Sequence, residues 1–156
     1  MSDGIDVRLA HASDVDSVAA LLVELKHVQA TVQPENPRYR VPDESWVAEA
    51  KTVLGDPGFD VFIAEQAGRV VGFAALRFAR KVWGKACEVE SLVVTEASRG
   101  RGVGEKLMEA CEAHACAAGA AGMRLHVTPD NAGALRFYRR LGYETMAVRM
   151  GKSLTE

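Results

Sequence analysis

Long hydrophobic runs are missing from this chain. No apolar stretch approaches the roughly 20 residues of a membrane-spanning helix, so no membrane partner is expected. The first residues, Met1-Ser2-Asp3-Gly4-Ile5-Asp6, carry neither a basic segment nor an apolar core and do not read as a secretory signal. Cysteine is scarce. Cys87, Cys111 and Cys116 form no Cys-x-x-Cys pair and no even framework, so a disulfide scaffold is not expected. Reduced structural thiols in a cytoplasm are the expected state. Four scattered histidines give little support to a metal site, and none is expected. An excess of one charge is also lacking: the net charge is −2, which favours neither nucleic acid nor an anionic surface as an overall partner.

What is present suits one domain spanning residues 1–156. The chain is 48% hydrophobic and 26% charged, long enough to bury roughly two-thirds of its unfolded surface. Ile5 to Leu9 alternates apolar and charged residues and predicts a strand. Ser13 or Asp14 can cap a helix carrying Val15, Val18, Leu21, Leu22 and Leu25 at helical spacing. From His27 to Asp43 the pattern lapses, and Pro34, Pro37 and Pro42 punctuate a loop long enough to be functional. A short helix is predicted from Glu44 to Leu54. Phe59–Glu65 and Arg69–Arg80 read as a hairpin joined by Gln66-Ala67-Gly68. Cys87–Thr95 continues the meander. Further on come a helix from Gly102 to Ala118, a strand from Met123 to Val127, a helix from Ala132 to Arg140 and a last strand from Tyr143 to Met150. This order predicts an α/β fold, a mixed sheet with helices on both faces.

The most informative stretch is Arg99-Gly100-Arg101-Gly102-Val103-Gly104, between the run Ser91-Leu92-Val93-Val94 and a helix. Glycines allow close backbone approach and unusual φ, and the helix start offers unpaired N–H groups with the positive end of its dipole. That combination suits a phosphorylated ligand. A P-loop would need Gly-Lys-Ser/Thr, but Gly104 is followed by Glu105. A dinucleotide fingerprint also fails, because Glu105 or Leu107 stands where its last glycine belongs.

What remains, Arg-x-x-Gly-x-Gly between strand and helix, resembles the pyrophosphate-binding motif of the GNAT superfamily of acyl-CoA-dependent N-acetyltransferases. A second stretch strengthens the resemblance. Asn131-Ala132-Gly133-Ala134-Leu135-Arg136-Phe137-Tyr138-Arg139-Arg140-Leu141-Gly142-Tyr143 is similar to that family's Asn-x-x-Ala-x-x-Phe/Leu-Tyr-x-x-x-Gly-Phe/Tyr signature. The likeness covers residues 88 to 143 at motif level, and the N-terminal half matches only in element order.

The resemblance implies a central, mostly antiparallel sheet of six to seven strands, with a splayed strand pair forming the cleft for acetyl-CoA as cosubstrate. The strand ending at Leu92, Val93 and Val94 carries a bulge in that family, which frees backbone groups to pair with the pantetheine arm. The Leu92 N–H is expected to face the acetyl carbonyl. Arg99, Gly100, Arg101, Gly102, Val103 and Gly104 are expected to hold the pyrophosphate. Asn131 and Ala134 are expected beside the pantetheine, and Tyr138 near the sulfur as general acid. A homodimer is an expectation carried by the resemblance alone.

Amine acetylation also needs a base. Glu88 and Glu90 lie on one strand, and strict alternation puts both on the face of Leu92 and Val94, about 7 Å apart. Glu90, nearer the acetyl group, is the preferred base; Glu88 is the alternative. His126 and His114 read as structural. Arg38, Tyr39 and Arg40 in the proline-punctuated loop could recognise a carboxylate, whereas the acidic pair suits a cationic amine, so the acceptor stays open. An acyl-CoA-binding sensor without turnover would share the glycine turn but would need neither Tyr138 nor a carboxylate.

Overall fold

The apolar runs of the chain up to Leu125 are realised as a five-stranded sheet. The computed structural model describes residues 4–155. The chain divides between Leu125 and His126 into two compact units.

The first unit contains β1 (Ile5–Leu9), α1 (Val15–Val32), α2 (Asp43–Gly55), β2 (Phe59–Gln66), β3 (Arg69–Lys81), β4 (Gly84–Val94), α3 (Val103–Ala117) and β5 (Gly122–Leu125). Spatial order follows chain order, β1-β2-β3-β4-β5. The first three pairings are antiparallel and β4–β5 is parallel. Parallel pairing requires a crossover, and α3 supplies it.

Each face of the sheet takes its own helices. Val18, Leu21 and Leu22 of α1 and Trp46, Ala50 and Val53 of α2 pack on Val61, Ile63, Phe73, Ala75 and Val93. The other face receives α3. Gly72 makes this possible: a Cβ there would lie 2.9 Å from the Val93 carbonyl and 3.2 Å from side-chain atoms of Val103 and Leu107. β1 is locked at its outer edge, where Arg8 donates to Asp14 at 2.9 Å and to Glu65 at 2.6 Å. The same Asp14 accepts from the His11 backbone N–H at 2.6 Å, so one buried carboxylate ties the strand exit to the start of α1.

Three expectations are corrected in this unit. The helix predicted to lapse at His27 continues to Val32, because residues 27–32 contain no breaker and Pro34 is the first. The loop before α2 is correspondingly shorter, and Lys26 and His27 both reach Asp43 across it, at 2.7 and 3.2 Å. β4 begins at Gly84 instead of Cys87, since the Lys81↔Gly84 pair leaves only Val82 and Trp83 in the turn. β5 ends at Leu125, so His126 lies outside it and is exposed; it is not a core histidine.

The second unit holds α4 (Ala132–Arg140). Asn131 caps it, its carboxamide oxygen accepting from the Ala134 N–H at 3.1 Å. Gly142 ends it with φ +94°. The strand predicted over Tyr143–Met150 is absent, which brings the count to five among the described residues against the six to seven expected. Met146, Val148 and Met150 alternate as a strand would but are exposed, and alternation without a pairing edge does not make a strand.

Candidate active site

β4 carries the feature that organises the site. Ala75 pairs with Ser91 and Leu76 with Val89, so Glu90 is an extra residue on β4. This is a β-bulge. It lies at the end of the β4–β5 ladder, whose last pair is Val89↔Leu125. From Glu90 to Val94 β4 has no partner strand on that side among the described residues. The expected bulge is therefore present, and the β4–β5 ladder stops where β5 ends at Leu125.

The bulge overturns the expected side-chain phase. An extra residue shifts the alternation by one. Glu88 lies opposite Arg77, and Ser91 and Val93 lie opposite Ala75 and Phe73, so these three share the α1–α2 face. Leu92 and Val94 lie opposite Ala74 and Gly72, on the α3 face with Val89. Glu88 thus does not share a face with Leu92 and Val94, contrary to strict alternation. Glu90, the unpaired residue, is exposed.

The two carboxylates also differ in their partners. Arg124 of β5 stands beside Glu88 in the ladder, and its Nη2 donates to Glu88 Oε1 at 2.5 Å. Both side chains are partly exposed. Nothing in the sequence pointed to Arg124; only the parallel register brings it there.

The glycine stretch follows at once. Gly100 and Gly102 have φ of +75° and +86°, a conformation that side-chain-bearing residues adopt at a cost. No atom beyond the chain neighbours lies within 4 Å of where a Cβ would stand on either glycine. The space beside both glycines is open. Gly102 is the N-cap of α3 and contributes no side-chain cap. Val103 next to it is buried against the sheet and fixes the helix start. Arg99 is exposed and donates through Nε to the Val94 carbonyl at 3.3 Å, while Arg101 is exposed.

The entry to this turn is held from α1. Glu24 accepts from the Thr95 hydroxyl and from the Glu96 backbone N–H. Sequence reading passed over Glu24, because a glutamate on a helix flank carries no signal of its own.

The remaining candidates lie elsewhere. Ala134 and Tyr138 are on α4, and Asn131 caps it, all in the second unit. Tyr138 is half-buried, with Tyr143 edge-on at 5.7 Å between ring centroids. His114 of α3 bonds Asp60 at 2.8 Å and sits edge-on to Phe62 and Phe78, a packing role as expected. Burial pushes the Cys87 thiol up to about 11 and that of Cys111 up to about 12, so neither is a ready nucleophile. Among the described residues no cluster of His, Cys, Asp and Glu suits a metal.

Residues 22–143 match the profile of the acetyltransferase (GNAT) family. Streptothricin acetyltransferase of Streptomyces lavendulae is 36% identical over 76 residues, covering 49% of this chain and 39% of that protein. Glucosamine 6-phosphate N-acetyltransferase 1 of Oryza sativa subsp. japonica is 34% identical over 96 residues, covering 58% and 56%. The chain thus matches about half the length or less of these curated relatives. An aminoglycoside acetyltransferase from an uncultured soil metagenomic sample, solved with trehalose, superposes with a TM-score of 0.76. It covers 99% of both chains at 18% identity, a likeness of fold. The matched span takes in the bulged β4, the glycine turn and the α4 signature, and the chain belongs to the GNAT family of acetyltransferases.

Proposed function

We propose that this protein is an N-acetyltransferase that moves an acetyl group from acetyl-CoA to a primary amine by direct attack. The observation that carries the reading is the succession of a bulge at Glu90, a β4 edge that has no partner strand on the β5 side up to Val94 among the described residues, and an open glycine turn leading into α3.

In this reading Leu92 to Val94 offer backbone groups to the pantetheine arm as an added strand would. The Leu92 N–H is directed at the acetyl oxygen and stabilises its developing charge. The backbone of Arg99 to Gly104 holds the pyrophosphate, with charge added from Arg99 or Arg101. Ala134 leaves room for the cofactor arm. The Asn131 carboxamide oxygen already caps α4, which leaves its NH₂ group for a pantetheine carbonyl.

Glu90 is the base. Its carboxylate is exposed on the bulge, whereas Arg124 occupies an oxygen of Glu88. The ammonium of the acceptor gives its proton to Glu90, directly or through water. The neutral nitrogen then attacks the acetyl carbon. The C–N bond forms, the C–S bond breaks, and Tyr138 supplies the proton that leaves CoA as a free thiol; the acetylated nitrogen gives up its second proton to solvent, from which Tyr138 is reprotonated. The resemblance supports Tyr138 in this role.

Two relatives are named for acetylating streptothricin and glucosamine 6-phosphate. The class of acceptor we favour is accordingly a small, polar, amine-bearing molecule. CoA-thiol release from acetyl-CoA, followed across polyamines, aminoglycosides, amino sugars, amino acids and short peptides, tests this. Release that depends on one acceptor class, with an N-acetylated product of matching mass, is the expected result. Tight acetyl-CoA binding with no release across the panel would instead favour a sensor without turnover.

A further inference from the structure

We infer that Glu24 of α1 is a positioning residue for the cofactor turn, acting as an N-cap supplied from a distant part of the chain. The inference rests on the acetyltransferase reading above and adds to it a side chain from outside the motif.

The short turn Glu96–Ser98 joins β4 to the glycine stretch, with Thr95 as its N-cap. A threonine there ordinarily uses its hydroxyl to accept from an N–H of the turn. Here the hydroxyl makes no such bond. It donates instead to Glu24, shared between Oε1 at 3.1 Å and Oε2 at 2.9 Å. Glu24 Oε1 also accepts from the Glu96 N–H at 2.8 Å, the first N–H of the turn. One carboxylate, 71 residues upstream of Thr95, does the capping.

The other side of this residue is fixed as well. The Thr95 N–H donates to the Val71 carbonyl at 2.9 Å. Val71 is itself an extra residue in the β2–β3 ladder, between the pairs Ala64↔Gly72 and Glu65↔Val70. Thr95 is therefore clamped between a bulged carbonyl of β3 and a carboxylate of α1. Beyond it, Ser98 is buried, its N–H on the Thr95 carbonyl at 3.0 Å. Arg99 follows directly. Hydrogen bonds to a charged partner are roughly twice as strong as neutral ones, so Glu24 is a strong restraint on the path into the turn. Preorganised donors stabilise an anion without reorganising, and a turn free to shift loses that advantage.

This role separates from simple stability by the choice of donor. S-acetylpantetheine carries the thioester but no pyrophosphate. In Glu24→Ala the KM for acetyl-CoA should rise about tenfold, equivalent to the loss of roughly one charged hydrogen bond. The kcat at saturating acetyl-CoA, and kcat/KM with S-acetylpantetheine, should stay within about twofold of the parent. Glu24→Gln keeps one acceptor oxygen and should recover most of the acetyl-CoA affinity. Thr95→Val, which removes the hydroxyl and leaves the Glu96 N–H contact, should give an intermediate KM and serves if Glu24→Ala folds poorly. An unchanged KM for acetyl-CoA in both Glu24→Ala and Thr95→Val overturns the inference. So does an equal loss with both donors, which would mark Glu24 as structural only. The parent protein is measured alongside: if it neither binds CoA nor turns over acetyl-CoA, the acetyltransferase reading fails, separately from the role of Glu24.

Discussion

Arg124 Nη2 lies 2.5 Å from Glu88 Oε1, one pair before the end of the β4–β5 ladder. One of the two acidic residues on β4 is thus engaged by a cation, and the other is displaced onto a bulge. The consequence for catalysis is specific. Glu90→Gln should lower kcat by about a hundredfold or more, in line with loss of a general base, and should change the shape of the pH–rate profile. Glu88→Gln should cost less than about tenfold, since it removes a base partner and not the base. Rates measured across pH for both variants check this; the reverse ranking would give the role to Glu88.

Tyr138 carries the acid role in the proposal. Tyr138→Phe should reduce kcat by about 10²-fold, at the lower end of what a positioned acid contributes. CoA affinity measured by calorimetry should change by less than about twofold. An unaltered kcat would assign the leaving-group proton to solvent.

Gly72 is the contact point between β3 and the start of α3. A methyl group there meets the Val93 carbonyl at 2.9 Å, and backbone cannot yield as a flexible side chain can. Gly72→Ala should destabilise the protein by about 1–3 kcal/mol, as overpacking of a filled site does. Because Val103 adjoins the glycine turn, the same variant should also weaken CoA binding. Denaturant unfolding and a CoA titration read the two effects.

The fold was legible where apolar period and breakers agreed. The hairpin β2–β3 follows from Ala67-Gly68, both at positive φ, between two β-rich runs. The glycine turn and α3 follow from Arg99 to Gly104 and the stripe Val103, Leu107 and Cys111, all three buried. The phase of Glu88 was not legible, because a single extra residue at Glu90 inverts everything on one side of it. The true end of α1 was missed because apolar spacing lapses before the first proline does its work. Met146, Val148 and Met150 show the reverse case, a strand period without a strand. Glu24 and Arg124 gain meaning only from the three-dimensional register that brings them to Thr95 and Glu88.

Acid stability should depend on the edge of β1. The Arg8 guanidinium, bonded to Asp14, holds that carboxyl well below its ordinary value, at about 2. A carboxylate whose folded pKa is lowered stabilises the protein above its unfolded pKa of 3.8 and loses that contribution as pH falls through the folded value. The wild-type protein should therefore lose about 2 kcal/mol from this group between roughly pH 4 and pH 2. Asp14→Asn should be less stable at pH 7, and the gap from wild type should narrow across that window. Thermal unfolding at stepped pH measures it; a constant gap would contradict the assignment.

The central claim is that the open turn from Arg99 to Gly104 holds the pyrophosphate of CoA. Calorimetric titration of the wild-type protein with CoA and with pantetheine tests it most directly. The account predicts that CoA binds at least about tenfold tighter, the minimum for one set of charge-assisted backbone contacts, and that Gly102→Val removes most of the difference. Equal affinity for the two ligands would contradict it.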